Sequence, residues 1–159
     1  MAYLQTVDFT GKVSTDQTGR FTVTSSRGSK YLMVLYVHDS NAILAEPLNS
    51  CSKCELIRAT RVLHSYLSAR GLTPQYQMLD NECPGGLKQF LRNSSVDLQL
   101  VPPHLHCTNA SERVIQTYRD HLITSLISYD PNFYLYLWDY LIPHATLMIK
   151  LLCPSRPNP

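Results

Sequence analysis

The sequence predicts an α/β fold, a mixed five-stranded sheet with helices on its faces, and three observations carry that expectation. Residues 31–36 (YLMVLY) form a near-continuous apolar run, as a central strand covered on both faces requires. Three strand-like segments come first, close enough for hairpins, before the apolar period changes to helical spacing near Leu56. Helix and strand patterns then alternate up to residue 101, and two helical stretches follow. Hairpin-linked strands followed by alternation imply both antiparallel and parallel pairs in one sheet. That order alone leaves several α/β folds open.

Residues 13–24 are rich in Thr, Ser and Gln with β-branched and aromatic residues between them, and read as the first strand. Arg27-Gly28-Ser29-Lys30 looks like a turn. Residues 31–36 give the second strand and 42–47 (AILAEP) a short third. Leu56, Ala59, Leu63 and Leu67 then recur on one helical stripe, with Arg58, Arg61 and Arg70 largely off it. Ser52 and Glu55 have the spacing of a capping box, and Gly71 stops the helix. Residues 75–79 read as a fourth strand ending at Asp80. A short helix is expected over 87–92 and a fifth strand over 97–101. A long helix follows from about 109 to 128, with Val114, Ile115, Tyr118, Leu122 and Leu126 on its apolar stripe. The last helix is expected over 131–152, with Trp138, Leu141, Ala145, Met148 and Leu152 on one side. Residues 1–12 read as a leader, 13–153 as one core domain and 154–159 as an extended linker.

Composition supports one folded domain. Charged residues are 16% of the chain, below the roughly 25% usual for soluble proteins, so much of the surface is expected to be buried. A net charge of +2 permits a nucleic-acid partner without arguing for one. The first ten residues include Asp8 and lack a basic start and a long apolar run, so no secretory leader is expected. The apolar stretch 133–152 is interrupted by Asp139, Pro143 and Lys150, and reads as a buried helix, not a membrane span. Five cysteines without a leader fit reduced thiols in a nuclear or cytoplasmic setting.

Three acids stand at informative places. Asp16 is inside the first strand, Asp80 ends the fourth, and Glu112 lies in the first turn of the long helix. Two magnesium ions about 3.5–4 Å apart need carboxylates converging from separate rigid elements. Strand ends and helix starts also carry acids for ordinary reasons of turn formation and helix dipole, so spacing alone leaves both readings open.

The segments Thr15-Asp16-Gln17-Thr18-Gly19-Arg20-Phe21 and Ser26-Arg27-Gly28-Ser29-Lys30-Tyr31-Leu32-Met33-Val34 resemble the opening of retroviral and retrotransposon integrase cores. Leu79-Asp80-Asn81-Glu82 is similar to that family's Asp-Asn element. Val101-Pro102-Pro103-His104 with Asn109-Ala110-Ser111-Glu112-Arg113 resembles the block carrying its third acid. The wording is closest to integrases of copia-like long-terminal-repeat polyproteins, and the resemblance spans nearly the whole chain.

The resemblance implies a ribonuclease H-like fold and a metal-dependent polynucleotidyl transferase that processes 3′ ends of retroelement DNA and joins them to target DNA. Asp16, Asp80 and Glu112 would be its catalytic triad, holding two Mg²⁺ or Mn²⁺ ions. Asn109, Arg113, Gln116 and Arg119 would face DNA, a homodimer through the last helix would be the assembly, and no membrane partner is implied. The chain departs from the family in three ways. The interval from Asp80 to Glu112 is short, 104–108 (HLHCT) lacks Lys and Arg, and Gln116 stands where a cation suits a phosphate. Fewer cations mean weaker DNA affinity. The family's flanking zinc and DNA-binding domains are expected to be missing from this chain. The alternative expectation is an inactive integrase remnant that binds DNA weakly or serves as a protein-interaction domain.

Other constellations carry less. Cys51-Ser52-Lys53-Cys54 with His104, His106 and Cys107 has zinc-binding residue types, but the two halves lie far apart in sequence. His38-Asp39 reads as a strand-end turn. The aromatic residues Phe133, Tyr134, Tyr136, Trp138 and Tyr140 suit base stacking, but at helical spacing core or interface packing is the expectation.

Overall fold

The computed structural model describes residues 10–80, 84–101 and 110–152. Five strands form one sheet: β1 (Lys12–Gln17), β2 (Tyr31–Val37), β3 (Ala42–Leu48), β4 (Tyr76–Asp80) and β5 (Asp97–Val101). Their spatial order is β3-β2-β1-β4-β5. The β1–β2 and β2–β3 pairs are antiparallel, and β1–β4 and β4–β5 are parallel. The helices are α1 (Lys53–Ser68), α2 (Gly85–Asn93), α3 (Ala110–Ser128) and α4 (Ile142–Leu152), with a 3-10 helix (Leu135–Leu141) leading into α4.

Side chains alternate across the sheet, so each central strand serves two cores. Val13, Met33, Leu35, Val37 and Leu79 face α1 and α2, meeting Leu56, Ala59, Leu63, Leu67, Leu87 and Leu91. Leu32, Val34, Tyr36 and Ile43 face the other way, against Tyr118 and Leu122 of α3 and Trp138, Ala145 and Ile149 beyond it. This two-sided burial is why β2 has almost no polar position. Among the described residues, no helix is long and apolar enough to cross a membrane.

Three expectations need correction. The first strand stops at Gln17, not near residue 24. Beyond it, scattered backbone bonds such as Thr18 N–H to Leu32 O and Phe21 N–H to Lys30 O are joined by side-chain ones: Thr18 Oγ1 accepts the Leu32 N–H at 2.9 Å, and Ser25 Oγ accepts those of Arg27 and Ser29. The capping box does not form. Ser52 is the N-cap of α1 but makes no side-chain cap bond, and Glu55 instead accepts the Asn49 N–H and pairs with Arg58. The single last helix is two elements, because Pro143 falls in the first turn of α4, where its missing N–H is harmless. Gly71 does end α1 as expected. At φ +75° it closes a Schellman motif, with Leu72 N–H on Leu67 O and Gly71 N–H on Ser68 O.

Candidate functional site

The site is built on the junction between the antiparallel and parallel halves of the sheet. Asp16 lies opposite Val34 of β2, on the face that α3 covers. On its other side, the β1–β4 register pairs Ser14 with Met78. That is the last pair of the ladder, and Asp16 and Asp80 each lie two residues beyond it along their strands. Neighbouring strands run about 4.8 Å apart, a spacing at which two carboxylates can share a metal ion. Asp80 itself lies opposite Val101 of β5.

Asp16 is half-buried, and its Oδ1 accepts the Gln17 N–H at 2.7 Å. Glu112 is exposed in the first turn of α3. That helix packs on β1 and β2 through Tyr118 and Leu122. Helical spacing puts Gln116 and Arg119 on the same side as Glu112, bordering the buried stripe, and both are exposed, as is Arg113. Asn109 lies outside the described residues, as do His104, His106 and Cys107. Among the described side chains, which do not include that of Asp80, no group of three or more His, Cys, Asp or Glu stands close enough to hold a metal ion. The three candidates Asp16, Asp80 and Glu112 offer only carboxylate oxygen, the ligand type that magnesium and manganese prefer.

A buried polar trio lies behind the site, on the opposite face of the sheet. Gln77 of β4 is fully buried, and its Nε2 donates to Thr15 Oγ1 at 2.8 Å. His64 of α1 sits on the same face, also buried. Burial pushes its imidazole below the ordinary range, and Gln77 opposes that shift in smaller measure. The reading of the sequence missed this trio. The signal was available: Gln77 is two residues before Leu79 on a strand whose alternation points both inward.

The remaining sequence candidates resolve differently. His38 Nε2 meets Ser14 Oγ at 2.7 Å, while Asp39 Oδ2 accepts the Gly11 N–H at 2.5 Å, so the two neighbours serve separate contacts at the strand end. Cys51 and Cys54 are exposed free thiols. Trp138 is core: it stacks on Phe21 at 4.5 Å and donates Nε1–H to Val23 O at 2.9 Å. Tyr134, Tyr136 and Tyr140 are on the surface. Arg27 reaches back from the β1–β2 loop to Asp139 at 2.7 Å, clamping that loop to the 3-10 helix.

No protein-family profile matches the chain, and no curated protein does. Solved structures do. A chain of the simian T-cell lymphotropic virus intasome, in complex with PP2A regulatory subunit B56 gamma, superposes with TM-score 0.72 at 15% identity over 91% of this chain. This chain spans about half of that one, 49% of its length. The HTLV-2 integrase catalytic core domain in complex with magnesium, dimeric form, gives TM-score 0.69 at 19% identity, covering 91% of this chain and 88% of that one. The BIV integrase catalytic core domain gives 0.65 at 10% identity, covering 89% and 84%. Identity this low speaks to architecture: the chain has the ribonuclease H-like fold of a retroviral integrase catalytic core.

Proposed function

We propose that this chain is a metal-dependent polynucleotidyl transferase that cuts 3′ ends of retroelement DNA and joins them to target DNA. The observation that supports the reading is the parallel β1–β4 pairing, whose last pair, Ser14 with Met78, lies two residues before Asp16 and Asp80, with Glu112 in the first turn of the helix that packs on β1. The magnesium in the HTLV-2 core supports a divalent-metal requirement. The motif wording supports a copia-like long-terminal-repeat origin, with residues 13–153 as the core between a leader (1–12) and a linker (154–159). DNA as substrate fits a nuclear or cytoplasmic setting.

In this reading Asp16, Asp80 and Glu112 hold two Mg²⁺ or Mn²⁺ ions. When bound, such ions supply charge stabilisation to the attacking and leaving oxygens of an in-line phosphoryl displacement. The chain's own part is positioning. Two acids ride on adjacent strands and the third on a helix packed against them, so their spacing is set by the core. Arg113 and Arg119, with Gln116 and Asn109, line the DNA phosphates. No side chain forms a covalent bond to the substrate. The last helix provides the homodimer contact.

A second reading is favoured by the sparse cations around α3, where Gln116 takes the place of a basic residue: an inactive remnant that binds DNA weakly or acts through a protein interface. Calorimetric titration of Mn²⁺ into the parent and Asp16→Asn separates the two. Binding in the parent that the substitution abolishes, together with loss of strand transfer in Glu112→Gln, is the expected result. A parent that takes up no Mn²⁺ sinks the enzyme reading and leaves the remnant.

A further inference from the structure

We infer that Gln77, tied to Thr15 and backed by His64, is a positioning residue that sets the spacing of β1 and β4 at Asp16 and Asp80 from the far face of the sheet. The inference rests on the metal-site reading above.

The β1–β4 register runs from Lys12↔Tyr76 to Ser14↔Met78 and goes no further, one step short of the pair that precedes the acids. The Gln77–Thr15 bond takes over there. Gln77 lies opposite Val13, yet its amide reaches forward to Thr15, so a side chain extends the lateral tie past the end of the backbone ladder. Thr15 is the residue before Asp16. Because side chains alternate, holding Thr15 inward holds Asp16 outward, and a slip of one residue would exchange them.

The polar trio is costly to bury, which makes a merely space-filling role a poor explanation. Gln77 is 0% exposed and its Oε1 has no hydrogen-bond partner of good geometry, and neither has Nε2 of His64. The surrounding positions on this face are Val13, Leu35, Leu63 and Leu79, all apolar. An apolar residue at 77 would suit the core and remove the orphaned Oε1, but it would also remove the tie to Thr15. His64, held neutral by its burial, stands behind the Gln77 carboxamide as its neighbour from α1.

Gln77→Met keeps the volume and removes the tie, and Thr15→Val removes the same bond from the other end. Thr15→Ser keeps it. Amide hydrogen exchange and Mn²⁺ titration are measured on all three and on the parent. The expected result is faster exchange at residues 15–17 and 79–80 in Gln77→Met and Thr15→Val, with β2–β3 exchange unchanged. Mn²⁺ affinity should fall about tenfold in those two and return in Thr15→Ser, the size of effect seen when a group supporting metal ligands is removed. Unchanged exchange at those residues overturns the inference, as does acceleration spread evenly over the sheet, which is what general destabilisation would give. Normal local exchange and normal Mn²⁺ affinity in Gln77→Met, with binding lost in Asp16→Asn, overturns the positioning role while the metal site stands. Local exchange responding in a parent that takes up no Mn²⁺ upholds the strand tie and removes its metal role.

Discussion

Replacing Arg27 by Met tests how the loop after Asp16 is held. The Asp139 side chain is 0% exposed, its Oδ2 accepts the Arg27 Nε–H at 2.7 Å, and its Oδ1 has no hydrogen-bond partner. Removing one partner of a fully buried pair costs about 3–5 kcal/mol, because a charge is left buried and unpaired. The Arg27 side chain is 49% exposed, so solvent already screens the pair and the cost belongs below that range, about 2 kcal/mol. Loss of the guanidinium from the Tyr140 ring, 4.3 Å away, adds roughly 0.5 kcal/mol. Urea denaturation of Arg27→Met should therefore show a loss of about 2–3 kcal/mol, with the melting temperature down by roughly 5–10 °C for a domain of this size. The orphaned carboxylate dominates that loss, so Arg27→Met/Asp139→Leu should recover most of it. A single variant within about 0.5 kcal/mol of the parent, or a double variant no better than the single, would refute the reasoning.

Two further perturbations follow from groups whose surroundings are known. His64 is buried with its pKa below the ordinary 6.5, so the unfolded chain binds its proton more readily than the folded one. The stability this provides is complete above about pH 6.5 and is lost as pH falls toward the folded-state value. Urea midpoints at pH 7.5 and 5.5 should diverge less in His64→Leu than in the parent; an equal divergence would show that His64 is not the group responsible. At the start of α1, Ser52→Ala should cost well under the roughly 1 kcal/mol typical of a lost N-cap, since no cap bond exists. Glu55→Ala should cost more, because Glu55 serves both the Asn49 N–H and Arg58, which holds its carboxyl below the usual range. Thermal melts that rank the two variants the other way would restore the capping box.

The parts of the fold that were legible are those where one physical signal dominates. The run Tyr31–Val37 is apolar throughout because both its faces are covered, and the heptad-like spacing of Leu56, Ala59, Leu63 and Leu67 has one reading only. The β5 bounds were legible because Pro102 and Pro103 cannot continue a ladder. The first strand was not, because Thr18, Thr24 and Ser25 suit a strand and a side-chain-bonded loop equally, and only tertiary partners such as Leu32 and Trp138 decide. The last helix misled because aromatic residues at helical spacing do not distinguish a 3-10 turn from an α-helix. For the site, Asp16 and Asp80 were legible as strand acids, but that their strands lie side by side is a matter of topology, which no local pattern encodes. Gln77 was passed over, although it shares the alternation of Leu79, because a polar side chain there runs against the apolar pattern by which a buried strand face is read.

The position of β1 in the strand order has a consequence for how the chain comes to be folded. The β1–β2–β3 meander pairs neighbours in sequence and can form early. The second edge of β1 pairs with β4, which follows α1 in the chain. Pairing β1 with β4 is thus the long-range step, and until it is made β1 has an unpaired edge beside the meander. A copy of the gene interrupted between β3 and β4 would leave that edge permanently bare, a three-stranded ribbon ready to pair with other chains and aggregate.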